Sequence, residues 1–238
     1  MSDSELTGLD HPVWSALTTK QAHLGTGDAL ARRYHPDVAP FAALAAETVS
    51  AYRALQPLLR PHEQVALLSD EPIGPVDGFH TTHVGVIHQM IAPHRKAGRT
   101  GNDEVVRLGL ADANDMLELA RKTKPGPFGK RTAAMGNYIG IRERGRLVAM
   151  AGERMRIEGY VEISAVCVDD EHRGKGHAGR LVSVLQQEIE QRGETPFLHV
   201  FSDNVSAIRL YERLGFQLRR TFHLNRIEQA HADSVAAR

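Results

Sequence analysis

The chain has 238 residues, of which 42% are apolar and 24% are charged, as in ordinary soluble globular proteins. Its 29 basic and 29 acidic side chains give no net charge, which argues against nucleic acid or an anionic membrane as a partner. The length fits one large domain or two small ones. The only cysteine is Cys167, which excludes an intrachain disulfide framework.

The beginning of the chain shows neither the basic nor the apolar segment of a secretory signal. No apolar run in the sequence approaches the roughly 18–20 residues that a membrane-spanning helix needs. We therefore expect a cytoplasmic protein that has no membrane partner.

The first hundred residues give mixed signals. Apolar residues near helical spacing predict a helix over Phe41–Leu55. The short apolar run Gln64–Leu68 predicts a strand, and the loose alternation over Phe79–Ile91 predicts one or two more. Residues 28–40 contain two prolines and indicate an irregular connection.

Residues 92–102 are basic and polar and contain glycine and proline, which is typical of a linker. We therefore expect an N-terminal α/β region over residues 1–100 and a second domain over residues 101–238.

The second domain has clearer signals. Arg144-Gly145 lies between two apolar runs and predicts a tight hairpin, and Tyr160–Val168 predicts a strand. The other expected elements are a strand over 105–110, a helix that begins near Asp112, a helix whose apolar face contains Leu181, Leu185 and Ile189, a strand over Phe197–Phe201, a helix capped by Asp203 or Asn204, and a final strand over Phe216–Phe222.

A basic, glycine-rich segment, Arg173–Ala178, lies between the strand Tyr160–Val168 and the helix that follows. Glycines allow the backbone to turn tightly and to approach a ligand closely. The free N–H groups at the start of a helix, together with its dipole, favour an anion. The segment lacks the spacing of the P-loop and of the complete dinucleotide-binding fingerprint. It therefore predicts an anion site of another kind.

The segment Arg173–Ala178 resembles the Arg/Gln-x-x-Gly-x-Gly/Ala pyrophosphate motif of the GNAT superfamily of N-acetyltransferases. A second stretch, Asn204–Phe216, is similar to the Asn-x-x-Ala-x-x-x-Tyr-x-x-x-Gly-Phe signature near the end of many GNAT domains. The resemblance covers roughly residues 101–225 and includes similarity to the glycine N-acyltransferase-like subgroup.

The resemblance implies an α+β GNAT fold, in which a mixed, mostly antiparallel sheet has helices on both faces. The apolar runs of the first hundred residues are too short for a core of their own. We therefore expect this α/β extension to pack against the GNAT domain. A degenerate, half-sized GNAT-like unit is a further interpretation of the same segment.

The resemblance also implies acetyl-CoA as the cosubstrate. Its pyrophosphate would bind the loop, largely through backbone N–H groups, and its pantetheine would pair with strand backbone as an added strand does. Asn204 would bond the cofactor or cap its own helix. The residues expected to bind the cofactor are Val166, Cys167, Val168, Arg173, Gly174, Lys175, Gly176, His177, Ala178 and Asn204.

Two side chains are the expected catalytic groups. Tyr211 occupies the place of the tyrosine that donates a proton to the departing sulfur in the family. Glu162 lies on the strand where several GNAT enzymes carry a glutamate, and it is the expected base. His199 on the neighbouring strand is the alternative base, and the sequence leaves the choice open.

Neither the histidines nor the cysteine indicates another chemistry. His80, His83, His88 and His94 do not have the spacing of a zinc site, so we expect no metal. Cys167 lies in an apolar strand, which is typical of a core residue rather than of a nucleophile.

These signals predict an N-acetyltransferase that moves the acetyl group of acetyl-CoA directly to a primary amine on a small molecule or peptide. The alternatives are a non-catalytic CoA-binding sensor or scaffold and an acyltransferase with a longer acyl-CoA. The sequence does not identify the acceptor, the length of the acyl group or the role of residues 1–100, and it leaves a homodimer open.

Overall fold

The computed structural model describes residues 8–93 and 104–230, which form two compact units. The first unit takes residues 8–36, 40–87 and 221–230, and the second takes residues 37–39, 88–93 and 104–220. This division differs from the boundary expected near residue 100, because two long strands each supply residues to both units. Most of the expected linker lies outside the described residues.

The first unit contains a small antiparallel sheet of strands β1 (Gly25–Gly27), β2 (Ala31–Tyr34) and β3 (Ala42–Leu44). Its helices are α1 (Pro12–Thr18) and α2 (Val49–Leu55). A further strand, β4 (Gln64–Ser69), pairs antiparallel with the C-terminal half of β11 (Gln217–Gln229). In the strand order of this unit, β11 lies between β4 and β5 (Phe79–Ile91).

Two expectations for the first hundred residues were wrong. The helix expected over Phe41–Leu55 is a strand, β3, followed by the shorter helix α2, because Thr48 caps that helix and accepts a hydrogen bond from the N–H of Ala51 at 3.2 Å. The segment expected to be irregular contains β2, in which Arg33 is buried and paired with Glu63 at 2.6 Å. The strand expected over Gln64–Leu68 is confirmed as β4.

The second unit contains the strands β6 (Val105–Leu108), β7 (Tyr138–Glu143), β8 (Arg146–Ile157), β9 (Tyr160–Val168) and β10 (Thr195–Phe201), with the adjoining ends of β5 and β11. The strand order is β11, β5, β10, β9, β8, β7, β6. Pairing is antiparallel from β6 to β9 and parallel between β9 and β10. The helices are α3 (Ala113–Thr123), α4 (His177–Gln191) and α5 (Val205–Arg213).

Helices cover both faces of this sheet. On one face, Leu181, Leu185 and Ile189 of α4 join a core that includes Val161 and Ile163 of β9. On the other face, α3 supplies Met116, Leu119 and Ala120 to a second core that includes Cys167. The expected fold class, a mixed and mostly antiparallel sheet between helices, is therefore confirmed.

Most of the expected elements of the second unit are present. The hairpin between β7 and β8 turns at Arg144 and Gly145, whose φ values of 50° and 81° suit a turn with two left-handed residues. The strand β9 has the expected bounds. The final strand continues to Gln229, seven residues beyond the expected Phe222. Among the described residues, no helix combines the length and apolar character that crossing a bilayer requires.

A β-bulge interrupts β9 at Ala165. Met150 of β8 pairs with Cys167, but Gly152 pairs with Ser164, so β9 has one residue more than β8 over this stretch. Ala165 has a φ of 52°, in the left-handed region that residues with a Cβ rarely adopt. Before the bulge, Val161 and Ile163 face the α4 side of the sheet, whereas Ala165 and Cys167 face the α3 side.

The pairing of β9 with β10 is short and ends before the bulge. The parallel register covers three residue pairs, from Thr195 with Tyr160 to Phe197 with Glu162, although β9 runs on to Val168 and β10 to Phe201. The remaining backbone of β9 therefore presents an edge toward β10 that is available to an extended ligand.

The strain at Ala165 yields a stability prediction. Ala165→Val should lower the free energy of unfolding by about 1 kcal/mol or more beyond the loss in Ala149→Val, because a β-branched residue fits the left-handed region poorly. Ala149 is the matched control, since it is a buried alanine of the neighbouring strand β8 with 0% exposure. Ala165→Gly should stay within about 1 kcal/mol of the parent.

The measurement is urea unfolding of the full chain, followed by circular dichroism. Equal losses in Ala165→Val and Ala149→Val would show that the bulge imposes no special demand on the backbone.

Candidate functional site

The segment between β9 and α4 is anchored at its first residue, Asp169. Its carboxylate lies 2.9 Å from Nζ of Lys122 and 2.5 Å from Nη2 of Arg146, and it accepts a hydrogen bond from the N–H of Glu171 at 3.2 Å. The hydrogen bond from Lys122 is the largest cause that lowers the pKa of Asp169 below its usual value. This anchoring fixes the direction in which the chain leaves the strand.

Two glycines shape the loop that follows. Gly174 and Gly176 have φ values of 78° and 82°, and a Cβ at either position would meet no atom within 4 Å. The loop therefore needs glycine for its backbone conformation, and its surface at these positions is open. Gly176 directly precedes α4, whose first N–H groups have no acceptor within the helix.

The basic side chains of the loop already have partners in the protein. Nη2 of Arg173 lies 2.7 Å from Asp170, and Nζ of Lys175 lies 2.9 Å from Glu143 at the end of β7. His177 is only 8% exposed, and its Nε2 lies 3.5 Å from Oε1 of Glu143. An anion at this loop would therefore meet mainly backbone N–H groups and the positive end of the α4 dipole.

The strand residues expected to lie beside the cofactor have different surroundings. Val166 and Val168 are partly buried against the α4 side, whereas Cys167 packs with the α3 core. Burial raises the pKa of the Cys167 thiol to about 11. The thiol therefore stays protonated near neutral pH, which disfavours Cys167 as a nucleophile.

Glu162 lies in a buried ion pair. Its carboxylate accepts hydrogen bonds from Nε and Nη2 of Arg154, at 2.8 and 2.5 Å, and from the N–H of Met155 at 3.3 Å. Burial by itself raises the pKa of Glu162, but the charge and hydrogen bonds of Arg154 and the hydrogen bond of His199 outweigh it and lower the pKa to about 2. A carboxylate with this pKa is a poor proton acceptor near neutral pH.

His199 lies next to Glu162 on β10. Its Nδ1 is 2.7 Å from Oε1 of Glu162, and its side chain is only 5% exposed. A carboxylate at this distance can fix the orientation and proton position of an imidazole. The geometry therefore favours the alternative base over Glu162, with Glu162 as its orienting partner.

Tyr211 lies on the inward face of α5. It is 8% exposed, and its ring meets that of Phe216 edge-on with centroids 6.0 Å apart. Burial raises the pKa of the Tyr211 hydroxyl to about 12, so the group keeps its proton near neutral pH. It is available as a proton donor and not as a resting base.

Asn204 has a local structural role. Its side-chain oxygen accepts a hydrogen bond at 3.1 Å from the N–H of Ala207 and so caps α5. This bond uses the oxygen that the sequence left open to either the cofactor or the cap.

The histidines His80, His83 and His88 of the sequence cluster lie within the described residues. His83 forms a 3.0 Å ring-to-ring hydrogen bond with His223, and His94 lies outside the described residues. Among the described residues, one group brings three metal-type ligands within 4.8 Å of one another, namely Asp169, Glu171 and His172. The Asp169 carboxylate in that group already binds Lys122 and Arg146.

Three polar side chains near His199 and Glu162 were not predicted from the sequence. Arg154 follows the apolar run of β8, in a stretch that also contains Glu153 and Arg156, so its sequence context does not indicate that it is buried. Gln89 and Arg219 lie on β5 and β11, far from the motifs in sequence, and neither strand offers a pattern that singles them out.

The low pKa of Glu162 predicts the pH dependence of stability. Its folded-state pKa lies below the ordinary value of 4.5, so the stabilisation is present above about pH 4.5 and is lost as the pH falls toward 2. Glu162→Gln should lower the free energy of unfolding by about 3 kcal/mol or more at pH 7, because Arg154 loses its buried partner. The difference between the parent and the variant should shrink below pH 4.5.

Glu188→Gln is the matched control, since Glu188 pairs at 2.7 Å with Arg107, a side chain that is 62% exposed. It should cost less than about 1 kcal/mol. Urea unfolding between pH 3 and pH 8 measures both variants, and a difference for Glu162→Gln that does not depend on pH would contradict the assigned pKa.

Comparison with known proteins gives consistent matches. The family model described as FR47-like protein matches residues 138–224. A putative acetyltransferase from the GNAT family of Novosphingobium aromaticivorans, known from its crystal structure, is 38% identical with a TM-score of 0.88, over 94% of this chain and 99% of that one. The N-alpha-acetyltransferase RimI of Mycobacterium tuberculosis is 33% identical over 141 residues, which are 52% of this chain and 88% of that protein.

A shorter match connects the chain with the uncharacterized N-acetyltransferase YobR of Bacillus subtilis. The two are 39% identical over 61 residues, and the match spans only 25% of either protein.

Proposed function

This chain belongs to the GNAT superfamily of N-acetyltransferases and is an acyltransferase, and we propose that it transfers the acetyl group of acetyl-CoA directly to a primary amine. One observation carries the proposal. The bulge at Ala165 and the short pairing of β9 with β10 leave a free strand edge directly before the glycine-rich loop at the start of α4. A strand edge that leads into a glycine-rich turn and the N-terminus of a helix suits the pantetheine arm and the pyrophosphate of acetyl-CoA.

In the proposed complex, the pyrophosphate binds the backbone N–H groups of the Arg173–Ala178 loop and the start of α4. The pantetheine arm lies along β9 and pairs with the backbone of Val166, Cys167 and Val168, as an added strand would. The support for this arrangement is the open surface at Gly174 and Gly176 and the pairing of β9 and β10 that ends at Glu162.

His199 is the proposed base. It takes one proton from the ammonium form of the acceptor, and the neutral amine then attacks the thioester carbonyl carbon. Glu162 stays ionised beside Arg154 and holds the imidazole in place. The register leaves Ala165 and Val166 without partner residues on β8, and their N–H groups are the proposed donors to the tetrahedral oxyanion.

Tyr211 is the proposed acid. When the tetrahedral intermediate collapses, the carbon–sulfur bond breaks and the phenol proton of Tyr211 passes to the departing thiolate. The products are the N-acetylated amine and CoA with a free thiol. The attacking nitrogen loses its second proton as the intermediate collapses, and that proton restores the Tyr211 phenol by way of water. The His199 imidazolium releases its proton to the solvent, so one proton is set free in each turnover.

Cofactor binding is tested with two glycine variants. Acetyl-CoA at a hundredfold excess over its Kd should stabilise the parent by about 2.7 kcal/mol and raise its Tm by roughly 5–10 °C. Gly176→Val should abolish this rise, because the branched side chain strains the loop and blocks the approach of the pyrophosphate to the backbone.

Gly159→Val is the matched control, since Gly159 also has a positive φ, 75°, and open space around a Cβ, but lies in the turn between β8 and β9. It should lower the Tm of the free protein and keep the rise on adding acetyl-CoA. Equal rises in both variants, or no rise in the parent, would contradict the proposed cofactor site.

The catalytic assignments are tested by steady-state kinetics that follow thiol release from acetyl-CoA with a panel of primary amines. Tyr211→Phe and His199→Gln should each lower kcat by about 100-fold or more, as expected for the loss of a proton-transfer group. Acetyl-CoA should still raise the Tm of both variants. Tyr160→Phe, which removes a hydroxyl from a buried tyrosine at the start of β9, is the control and should change kcat only a few-fold.

The pH profile distinguishes the two candidate bases. His199→Gln should remove the acidic limb of the kcat/KM profile, whereas Glu162→Gln should lower the rate but keep the acidic limb. The opposite result would identify Glu162 as the base. Propionyl-CoA and butyryl-CoA in the same assay define the length of the acyl group that the site accepts.

A further inference from the structure

A row of polar side chains crosses five neighbouring strands on the sheet face opposite α4. Nη1 of Arg219 lies 2.9 Å from Oε1 of Gln89, and Nε2 of Gln89 lies 3.3 Å from Nε2 of His199. Nδ1 of His199 lies 2.7 Å from Oε1 of Glu162, which is paired with Arg154. The row therefore runs from β11 through β5, β10 and β9 to β8.

The two arginines at the ends give the row one direction. An arginine side chain only donates hydrogen bonds, so the atom of Gln89 that faces Arg219 must be its oxygen. The amide nitrogen of Gln89 then faces His199 and donates to Nε2. At the other end, Arg154 holds Glu162 as an ionised acceptor.

This direction assigns the proton of the neutral imidazole. Because Nε2 of His199 accepts from Gln89, the ring proton must be on Nδ1, which donates it to Glu162. Gln89 and Glu162 are both 0% exposed, so water does not compensate for a reversed arrangement. The other tautomer would place two donors opposite each other at Gln89 and leave Glu162 without this bond.

We propose that Gln89 and Arg219 are positioning residues that hold His199 in the Nδ1–H tautomer and so keep the Nε2 lone pair as its proton-accepting site. This inference rests on the proposed role of His199 as the base. When His199 acts, the proton of the ammonium group goes to Nε2, the amide of Gln89 gives up its long donor bond, and Glu162 stabilises the imidazolium through Nδ1.

The tautomer is measured directly by long-range 1H–15N correlation spectra of the 15N-labelled full chain near pH 7.5. His199 is one of 13 histidines, and its signals are assigned by their loss in His199→Gln. The parent should show one protonated nitrogen in His199, at Nδ1. A parent with the proton on Nε2, or with an imidazolium, would overturn the proposal.

Met and Glu are similar in size to Gln89, and the two substitutions should change the protons on His199 in different ways. Gln89→Met removes the donor to Nε2, so the Nε2–H tautomer should become populated and kcat should fall at least 10-fold. Gln89→Glu replaces the donor by a carboxylate held by Arg219, so His199 should carry both protons and kcat should fall at least 100-fold near pH 7.5. Acetyl-CoA should raise the Tm of both variants as it does in the parent.

Substitutions of Arg219 keep the test available if the buried position 89 tolerates no change. Arg219→Lys retains a donor to the Gln89 oxygen and should keep the Nδ1–H tautomer and most of the activity. Arg219→Met releases the amide and should give a mixture of tautomers with a lower kcat and an unchanged KM for acetyl-CoA.

An unchanged His199 spectrum in both Gln89→Met and Arg219→Met would overturn the proposal, and so would altered spectra with an unchanged kcat. These outcomes differ from failure of the proposed function. A parent protein that acetylates no amine would defeat the function, whereas the spectra report the proton of His199 without any substrate.

Discussion

The β-bulge at Ala165 is the constraint on which the rest of the site depends. One extra residue in β9 changes the alternation of its side chains, so the α4 core takes Val161 and Ile163 before the bulge and Val166 and Val168 after it, while Ala165 and Cys167 pack on the α3 side. The pairing with β10 ends at Glu162, three residues before the bulge. Beyond Glu162, β9 has an edge toward β10 without a register partner, in a sheet that helices cover on both faces.

Beside that edge, the buried ion pair of Arg154 and Glu162 organises the polar residues of the α3 face. Burying two charges costs free energy that the pair itself only partly returns, so the pair is poor evidence for stability alone. Its geometric effect is clearer. Because the carboxylate remains ionised, it serves as a fixed acceptor for His199, and the imidazole is oriented by the sheet rather than by a loop.

The sequence predicted the parts of the fold that local chemistry determines. The hairpin at Arg144-Gly145, the bounds of β9, the glycine-rich loop and a helix cap at Asp203 or Asn204 each follow from residues close together in the chain, and the structure assigns the cap to Asn204. The helix expected over Phe41–Leu55 failed, because periodicity over a short apolar run does not distinguish a helix from a strand followed by a capped helix.

The polar row was beyond sequence reasoning for a different reason. Gln89, Arg154 and Arg219 meet His199 and Glu162 only because their strands become neighbours, and strand order is not a local property. The bulge was missed because its residue is alanine, whereas a glycine at that position would have suggested one.

The glycine-rich loop has a consequence for how this protein can diverge. Arg173 and Lys175 are paired with Asp170 and Glu143, so the proposed anion would be held there by main-chain N–H groups, which every residue except proline possesses. The side chains of the loop can therefore be exchanged without removing the backbone groups that would hold the anion. Gly174 and Gly176 cannot be exchanged in this way, because their positive φ values require glycine whatever the neighbouring side chains are.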